Sequence, residues 1–258
     1  MTIMTNEEII SAVRRSERAL CEQIAEWEPL EYGVAHWSSA FSDLPAANQI
    51  QDVWLADLDP ETVREQVESF YRERSACCQT WIIAATQDIA PIAGLLDCHG
   101  WVRGDLLAMG LSNWDSLGKY VDDTIRILPA RAMPKAYRAA LCEDGRQDAP
   151  LIEAGIERLN DSHFDAFVAM VEGKPAGRIG YLEVGDIARL VEFDVPSHDQ
   201  SREISHALFR HFLEMARRLV PRIVVAGVSM DDDMKRSVFE AHGFSIGGAI
   251  AQFHRPPH

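Results

Sequence analysis

The stretch FDVPSHDQSREISHALF, residues 193–209, contains the change from strand to helix on which the fold assignment depends. The preceding residues 187–195 (IARLVEFDV) are predicted to form a strand, and an amphipathic helix is predicted over about 200–219. A loop that leaves a strand and opens a helix presents unpaired backbone N–H groups and the positive end of the helix dipole. The sequence therefore predicts an anion site suited to pyrophosphate at 200–205.

The surrounding elements alternate between strands and helices, which indicates a mixed α/β fold. In chain order, the second half is predicted to contain a strand at 124–128, helices at 134–143 and 150–159, strands at 164–171, 176–184 and 187–195, a helix at 200–219, a strand at 223–228, a helix at 232–242 and a last strand ending near residue 253. A Gly-Phe pair at 243–244 separates the last helix from the last strand.

The first half shows part of the same order. Its predicted elements are a helix at 7–24, a strand at 49–55, a helix at 59–74, a strand at 80–84, a helix at 89–98 and a strand at 105–111, with Gly100-Trp101 before the last strand. Residues 112–121 are polar and rich in turn formers. We therefore predict two domains, 1–121 and 122–258.

Composition narrows the class of protein. Of the 258 residues 47% are hydrophobic and 25% charged, which is ordinary for a globular protein and argues against a disordered, collagenous or membrane protein. The net charge is −15 and no basic stripe is present, so we expect neither nucleic-acid nor membrane binding. Residues 1–120 hold 8 Lys/Arg and 19 Asp/Glu, so this part carries −11 and the remainder −4.

The five cysteines are odd in number and have no regular spacing. We interpret them as reduced thiols in a cytoplasmic protein, and we expect no metal site, because Cys98-His99 has no second pair at ligand spacing. The N-terminus does not resemble a signal peptide, since Glu7 and Glu8 stand where basic and apolar residues would be needed.

Residues 122–258 resemble the GNAT superfamily of acyl-CoA-dependent N-acetyltransferases. Two signatures carry the resemblance: the junction at 193–209, in the place of the family's strand β4, phosphate loop and following helix, and DDMKRSVFEAHGF at 232–244. The resemblance implies a mixed, mostly antiparallel central sheet flanked by helices. It also implies acetyl-CoA or another acyl-CoA as co-substrate, a small-molecule primary amine as acceptor, and direct transfer within a ternary complex. It allows a homodimer.

The family's phosphate loop reads Gln/Arg-x-x-Gly-x-Gly/Ala. Here the six cofactor-binding positions are Gln200, Ser201, Arg202, Glu203, Ile204 and Ser205. Glu203 and Ser205 thus replace the glycines that let backbone approach phosphate. Glu203 would repel phosphate unless it points to solvent, and Arg202 could offset it. An ordinary helix start with an acidic first turn is the alternative interpretation.

Further cofactor contacts follow from the resemblance. Main-chain groups of Phe193 and Val195 would pair with pantetheine, and Asp232 stands where the family often has an Asn near the pantetheine arm. Asp232 could equally be the N-cap of the next helix, and it can serve both purposes. Phe239 occupies the place of the Tyr that commonly protonates the leaving thiolate, and it cannot donate a proton.

Direct transfer needs a base for the amine and often a proton donor. The candidate catalytic residues are Glu192 and Asp194 as bases and Tyr181 as donor. Strand alternation puts both carboxylates on one face and Arg189, Val191, Phe193 and Val195 on the other, unless a bulge intervenes. The alternatives are a solvated strand face for the acids and packing for Tyr181. The flanking histidines, His198 and His206, could titrate near neutrality.

The first half resembles the trailing portion of the same fold, because DCHGW at 97–101 partly matches EAHGF at 240–244. The stretch at 56–71, where a phosphate loop would lie, is acidic and lacks glycine. We therefore expect a degenerate GNAT-like domain that does not bind CoA; a chance α/β pattern is the alternative.

The function expected is N-acetyl transfer to a small amine. Because the first half is acidic and would attract a positive charge, we expect a cationic acceptor. The rival hypothesis is a catalytically impaired domain that senses acyl-CoA or binds another protein.

Overall fold

The structure is a computed structural model that describes residues 4–55, 57–84, 88–115, 124–142, 149–196 and 201–256. The chain forms two compact units, and each is built from separate stretches of sequence. Unit 1 contains Met1–Ser16, Ala108–Val228 and Asp232–Gly248. Unit 2 contains Glu17–Leu107, Ser229–Asp231 and Ala249–His258. The boundary at 121/122 divides the chain by its repeated element order, and it stays a prediction.

The elements of the N-terminal half, residues 1–121, are α1 (Asn6–Glu22), β1 (Glu26–Leu30), β2 (Gly33–Trp37), β3 (Gln49–Val53), α2 (Pro60–Glu73), β4 (Thr80–Ile83), α3 (Ala90–Cys98), β5 (Val102–Arg103) and β6 (Leu106–Leu111). Local chemistry sets the start of α2. Asp59 accepts a hydrogen bond from Thr62 N at 2.9 Å, and Pro60 follows as the first helical residue.

The elements of the C-terminal half, residues 122–258, are β7 (Ile125–Pro129), a 3₁₀ turn (Ala130–Ala132), α4 (Pro134–Leu141), α5 (Ala149–Arg158), β8 (Phe164–Val171), β9 (Lys174–Val184), β10 (Ile187–Asp194), α6 (Ser201–Leu219), β11 (Ile223–Ser229), α7 (Asp233–Ala241), β12 (Phe244–Ile250) and β13 (Gln252–His254). One face of α6 is buried because its apolar residues recur every three or four positions, among them Ile204, Leu208 and Phe212.

Each of the two sheets contains one strand from the other half of the sequence. The six-stranded sheet has the order β1-β2-β3-β4-β13-β5, and the seven-stranded sheet has the order β12-β6-β11-β10-β9-β8-β7. Strand β13 thus lies between two N-terminal strands, and β6 lies between two C-terminal ones. Strands β13 and β6 each have a neighbour on both sides, so neither has a free edge.

The two sheets share a second feature, since most of their defined pairings are antiparallel and each has one parallel pair. The parallel pairs are β3 with β4 and β10 with β11. In both halves a helix connects these strands, as a parallel connection requires. The predicted mixed α/β fold, with a mostly antiparallel sheet flanked by helices, is confirmed.

Most predicted elements are present within about two residues of their expected bounds, but the hairpin β1–β2 was not predicted. Strand β1, EWEPL, is almost wholly exposed and lies at a sheet edge, so its sequence shows neither an apolar face nor β-branched residues. The single last strand predicted to end near Phe253 is two strands, β12 and β13, which lie in different sheets.

Candidate functional site

Strand β10 contains a β-bulge close to its carboxyl end. Val191 lies opposite Gly180 and Asp194 lies opposite Arg178 on β9, so Glu192 and Phe193 together face the single residue Ile179. Glu192 has a φ of 53°, the left-handed region that glutamate rarely occupies. Bulges of this kind re-aim side chains and recur next to active sites.

The bulge corrects the predicted faces of β10. Phe193 does not share a face with Arg189, because the extra residue rotates the strand after Val191. The Phe193 ring lies 4.8 Å from the ring of Phe209 in α6. The Arg189 guanidinium instead donates to Val13 O at 3.0 Å on α1. The two acids do share one face, as predicted, since both meet partners on the side of α4.

The bulge coincides with the point where β10 separates from β11. The two strands pair from Ile187 opposite Ile223 to Leu190 opposite Ala226, although β10 continues to Asp194 and β11 to Ser229. Past Leu190 no pairing between the two strands is present in the described part of the chain, so the backbone of Phe193 and Val195 has no β11 partner there. An extended molecule with amide groups can pair with such a free strand edge.

Glu192 is held by two buried side chains that the sequence analysis did not identify. Its Oε2 accepts a hydrogen bond from the Tyr137 hydroxyl of α4, and its Oε1 accepts one from Arg158 Nη1 of α5 at 3.2 Å. The side chain of Glu192 is 11% exposed and that of Arg158 is 6% exposed. The solvated strand face considered for Glu192 is therefore wrong.

Asp194 is more open than Glu192. Its Oδ2 accepts from Arg178 Nη1 at 2.8 Å, and its side chain is 28% exposed while that of Arg178 is 7% exposed. Arg178 also donates to Ala140 O at the end of α4. Two arginines and two carboxylates thus balance each other beside the bulge, as buried charges must.

A sequence signal for these arginines existed. Arg158 stands on the face of α5 that buries Ile152 and Ala154, and Arg178 interrupts the apolar strand β9. A charge on a core face needs a buried counter-charge. Burial and the neighbouring Glu192 carboxylate raise the pKa of Tyr137 far above its usual value, so Tyr137 stays protonated and donates.

Tyr181 lies on the opposite face of β9. It pairs with Leu190, its side chain is 3% exposed, and its ring centroid lies 5.8 Å from that of Phe212 in α6. Its hydroxyl has no hydrogen-bond partner among the described residues. Burial, with Glu183 and Asp165 nearby, raises the pKa of Tyr181 to about 12. Tyr181 is thus a protonated hydroxyl, and it does not lie with Glu192 and Asp194.

The first turn of α6 holds five of the six predicted loop positions. Gln200 and His198 lie outside the described residues, and α6 begins at Ser201. Ser205 Oγ donates to Ser201 O at 2.7 Å, so it caps its own helix turn, while Ile204 is fully buried and Arg202 is exposed.

Glu203 is the member of this turn that bears most on anion binding. Its Oε2 is buried and has no hydrogen-bond partner in the described part of the chain. This carboxylate therefore does not point wholly to solvent. His206 follows it in α6, and its ring centroid is 5.7 Å from that of His242.

The two predicted positions near α7 have different surroundings. Asp232 is the N-cap of α7, where its Oδ1 accepts from Lys235 N at 2.8 Å. Phe239 is 1% exposed, and its ring centroid lies 5.5 Å from that of Phe193 and 5.2 Å from that of Phe209. The ring that replaces the family's tyrosine therefore packs directly behind the bulged strand.

No three His, Cys, Asp or Glu side chains in the described ranges gather as they would around a metal ion. None of the helices in those ranges is both long and apolar enough to cross a membrane.

No family model matches the sequence, and no curated protein matches it either. Similar solved structures exist. A conserved protein of unknown function from Staphylococcus epidermidis has a TM-score of 0.64 and 14% identity, with 88% of this chain and 91% of that chain covered. A GCN5-related N-acetyltransferase from Kribbella flavida has a TM-score of 0.63 and 13% identity, with 96% of each chain covered.

A tandem GNAT protein from the clavulanic acid biosynthesis pathway is also similar, with a TM-score of 0.55, 14% identity, and 88% of this chain and 80% of that chain covered. At these identities the likeness concerns the fold. The two mostly antiparallel sheets and the repeated element order agree with it. The chain has the GNAT fold, with two GNAT-like halves.

Proposed function

We propose that the protein is an acyl-CoA-dependent N-acyltransferase that transfers an acetyl or related acyl group to the primary amine of a small molecule. One observation carries the proposal: β10 separates from β11 beyond Leu190 at a bulge, which frees strand backbone directly before the amino end of α6. A pantetheine arm has two amides, and a bulged free edge offers them partners.

The residues around this opening fit acyl-CoA at both ends. Main-chain groups of Phe193 and Val195 would hold the pantetheine, and the ring of Phe239 packs behind them. Asp232, the N-cap of α7, follows shortly after β11 in the chain. The N–H groups of the first turn of α6, from Ser201, would face the pyrophosphate, assisted by the exposed Arg202 and by Gln200. Glu203 opposes this binding and sets its strength.

The reaction is a direct transfer. The acceptor nitrogen forms a bond to the thioester carbonyl carbon, the carbon–sulfur bond breaks, and sulfur leaves with its electron pair; the nitrogen loses one proton and the thiolate gains one. Asp194 is the proposed base, because its side chain is 28% exposed, more than twice as open as that of Glu192. Glu192 is the less suitable base, since both of its oxygens already accept hydrogen bonds.

Glu192 has a different part in the proposal. Glu192 itself has the positive φ of the bulge, so its contacts to Tyr137 and Arg158 stabilise the bulge. Tyr181, the candidate donor from the sequence, does not fit that role, because its hydroxyl is buried on the face of β9 opposite to Asp194 and its raised pKa makes it a weaker acid; the leaving thiolate is proposed to take its proton from solvent. Phe239 offers no such proton.

The N-terminal half is not proposed to bind CoA. The Asp59 carboxylate already occupies the start of α2, where it accepts from both the amide and the hydroxyl of Thr62. Glu61 adds a further negative charge in the same turn. An anion at this helix end would meet two carboxylates.

The test combines binding with turnover. Calorimetric titration with CoA and acetyl-CoA should give saturable binding, and mass spectrometry of polyamines, amino acids and aminoglycosides incubated with acetyl-CoA should show an acetylated product. Asp194→Asn should lower kcat, with binding of CoA retained. Glu153→Gln, an exposed acid on α5, is the matched control.

Two results would change this assignment. Absence of binding at millimolar CoA would contradict the enzyme proposal. Binding without turnover on any amine would favour the rival hypothesis of an acyl-CoA sensor, for which the replacement of the family's tyrosine by the buried Phe239 is the supporting observation.

A further inference from the structure

A cavity of about 670 Å³ lies in the N-terminal half, between the β1–β2 turn and the chain that follows β3. Its size falls within the roughly 300–1,000 Å³ that small-molecule sites occupy. All of its lining residues belong to unit 2, so the cavity is part of one compact body.

The wall of this cavity is aromatic and apolar. The indole of Trp54 is 53% exposed, an unusual position for tryptophan, while Tyr32 is buried and Leu58 half-buried beside it. Trp54 N donates to Tyr32 O at 3.1 Å, which fixes the chain after β3 against the β1–β2 turn. The backbone that carries the exposed ring is therefore fixed at the cavity wall.

The charges around the wall are negative. The lining contains Glu31, Asp52 and Asp57 and no Lys or Arg. Asp52 is paired with Arg18, so it contributes little net charge. Glu31 and Asp57 are exposed and form no ion pair with any described residue. Two uncompensated carboxylates beside an open indole attract a cation and repel phosphate.

The cavity also adjoins a strained residue. Asp52 has a φ of 57°, and the pairing of β3 with β4 shifts register between Ile50 and Val53. Backbone strain of this type is retained where the surrounding structure maintains it, often beside ligand sites. Asp52 and Trp54, two residues further along, both line the cavity.

We propose that this cavity is a binding site for a small organic cation, with an ammonium group against Trp54 and between Glu31 and Asp57. The indole face and the carboxylates each favour a positive group, and Leu58 and Tyr32 give its apolar body a surface. The site is separate from the proposed transfer site, and it stands whether or not the C-terminal half binds acyl-CoA.

The experiment uses the full chain, ¹⁵N-labelled, titrated with benzyltrimethylammonium chloride and, as the neutral probe, benzyl alcohol. The indole N–H signal of Trp54 is assigned from its loss in Trp54→Phe. We expect a saturable shift of that signal with the ammonium probe, a dissociation constant about tenfold higher in Glu31→Gln/Asp57→Asn, and little response to benzyl alcohol at matched ionic strength. Glu65→Gln/Glu157→Gln, which removes two exposed acids elsewhere, should leave binding unchanged.

All these substitutions are at exposed positions, so each variant should unfold at the wild-type temperature, and this is measured alongside. No saturable shift at Trp54 would overturn the proposal. So would equal affinity in Glu31→Gln/Asp57→Asn, or equal binding of the neutral probe. Equal weakening in both double variants would show a general effect of net charge and would also overturn it.

Discussion

Strand β3 in the N-terminal half and strand β10 in the C-terminal half carry the same irregularity in different surroundings. Each runs beside a parallel partner, and each has one acidic residue with a positive φ, 57° at Asp52 and 53° at Glu192. Glu192 is held by Tyr137 and Arg158 and is 11% exposed, whereas Asp52 pairs with Arg18 and both side chains are 36% exposed.

The helices that follow the two strands differ more. Helix α2 begins with Asp59 accepting the amide of Thr62, so the chain's own carboxylate occupies the helix end. Helix α6 starts at Ser201, and the residue before it, Gln200, lies outside the described residues. The comparison teaches that a helix after a bulged strand excludes an anion where a carboxylate of the chain itself occupies the helix end, as Asp59 does at α2.

The largest effect should come from separating the halves. A fragment of residues 122–258 lacks β6, five of whose six residues are buried, and it would leave β11 and β12 with unpaired edges. We expect no cooperative thermal unfolding by circular dichroism for either fragment alone, and recovery of the transition when 1–121 and 122–258 are produced together. A cooperative transition for 122–258 alone would contradict the exchange of strands between sheets.

The two bulges should differ in their dependence on the paired arginine. Arg158→Met leaves the buried Glu192 carboxylate without its cation, and we expect a loss of about 3–5 kcal/mol in the free energy of unfolding. Arg18→Met, the matched change at Asp52, should cost about 0–1 kcal/mol because that pair is half-exposed. Urea denaturation measures both, and equal costs would contradict the distinction between them.

Lowering the pH should destabilise the folded chain through His36, a buried residue of the N-terminal half. Burial lowers the pKa of His36 to about 4, so between pH 6.5 and 4 the unfolded chain binds a proton that the folded chain does not. Stability should fall by up to about 3 kcal/mol as the pH drops through this range. Chemical denaturation at several pH values should show a smaller fall for His36→Leu, while exposed His163→Leu should behave as wild type. An unchanged pH dependence in His36→Leu would refute this assignment.

The smallest effect concerns the first helical turns. Glu203→Gln removes a charge beside the proposed pyrophosphate site, and we expect CoA to bind roughly 3–10-fold more tightly, with a smaller gain at high salt. Glu61→Gln makes the same change in the first turn of α2 and should have no effect. Calorimetric titration with CoA measures the affinity of both variants. Weaker binding by Glu203→Gln would contradict a pyrophosphate site at the first turn of α6.

The sequence alone was sufficient to predict most helices and strands and the repeated element order of the two halves. Capping by Asp59 and Asp232, the apolar face of α6 and the Gly-aromatic pairs are encoded within a few residues of each other. The hairpin β1–β2 was not predictable in this way, because the exposed edge strand Glu26–Leu30 has no buried face to create a pattern.

The candidate site was predictable only in part. The acids Glu192 and Asp194 stood out on one strand, but their partners Tyr137, Arg158 and Arg178 come from three other elements, up to 55 residues away. The exchange of β6 and β13 is likewise a long-range pairing. Contacts of this kind depend on the assembled sheet, and periodicity in one segment carries no information about them.

The central claim is that the free backbone of β10 beyond Leu190, and not the corresponding end of β3, binds the pantetheine of acyl-CoA. Amide hydrogen exchange followed by NMR, with and without saturating CoA, tests it at matched positions. The account predicts that exchange slows about tenfold or more at Phe193 and Val195 and is unchanged at Val53 and Leu55. Unchanged exchange at Phe193 and Val195, or protection of Val53 and Leu55 instead, would contradict it.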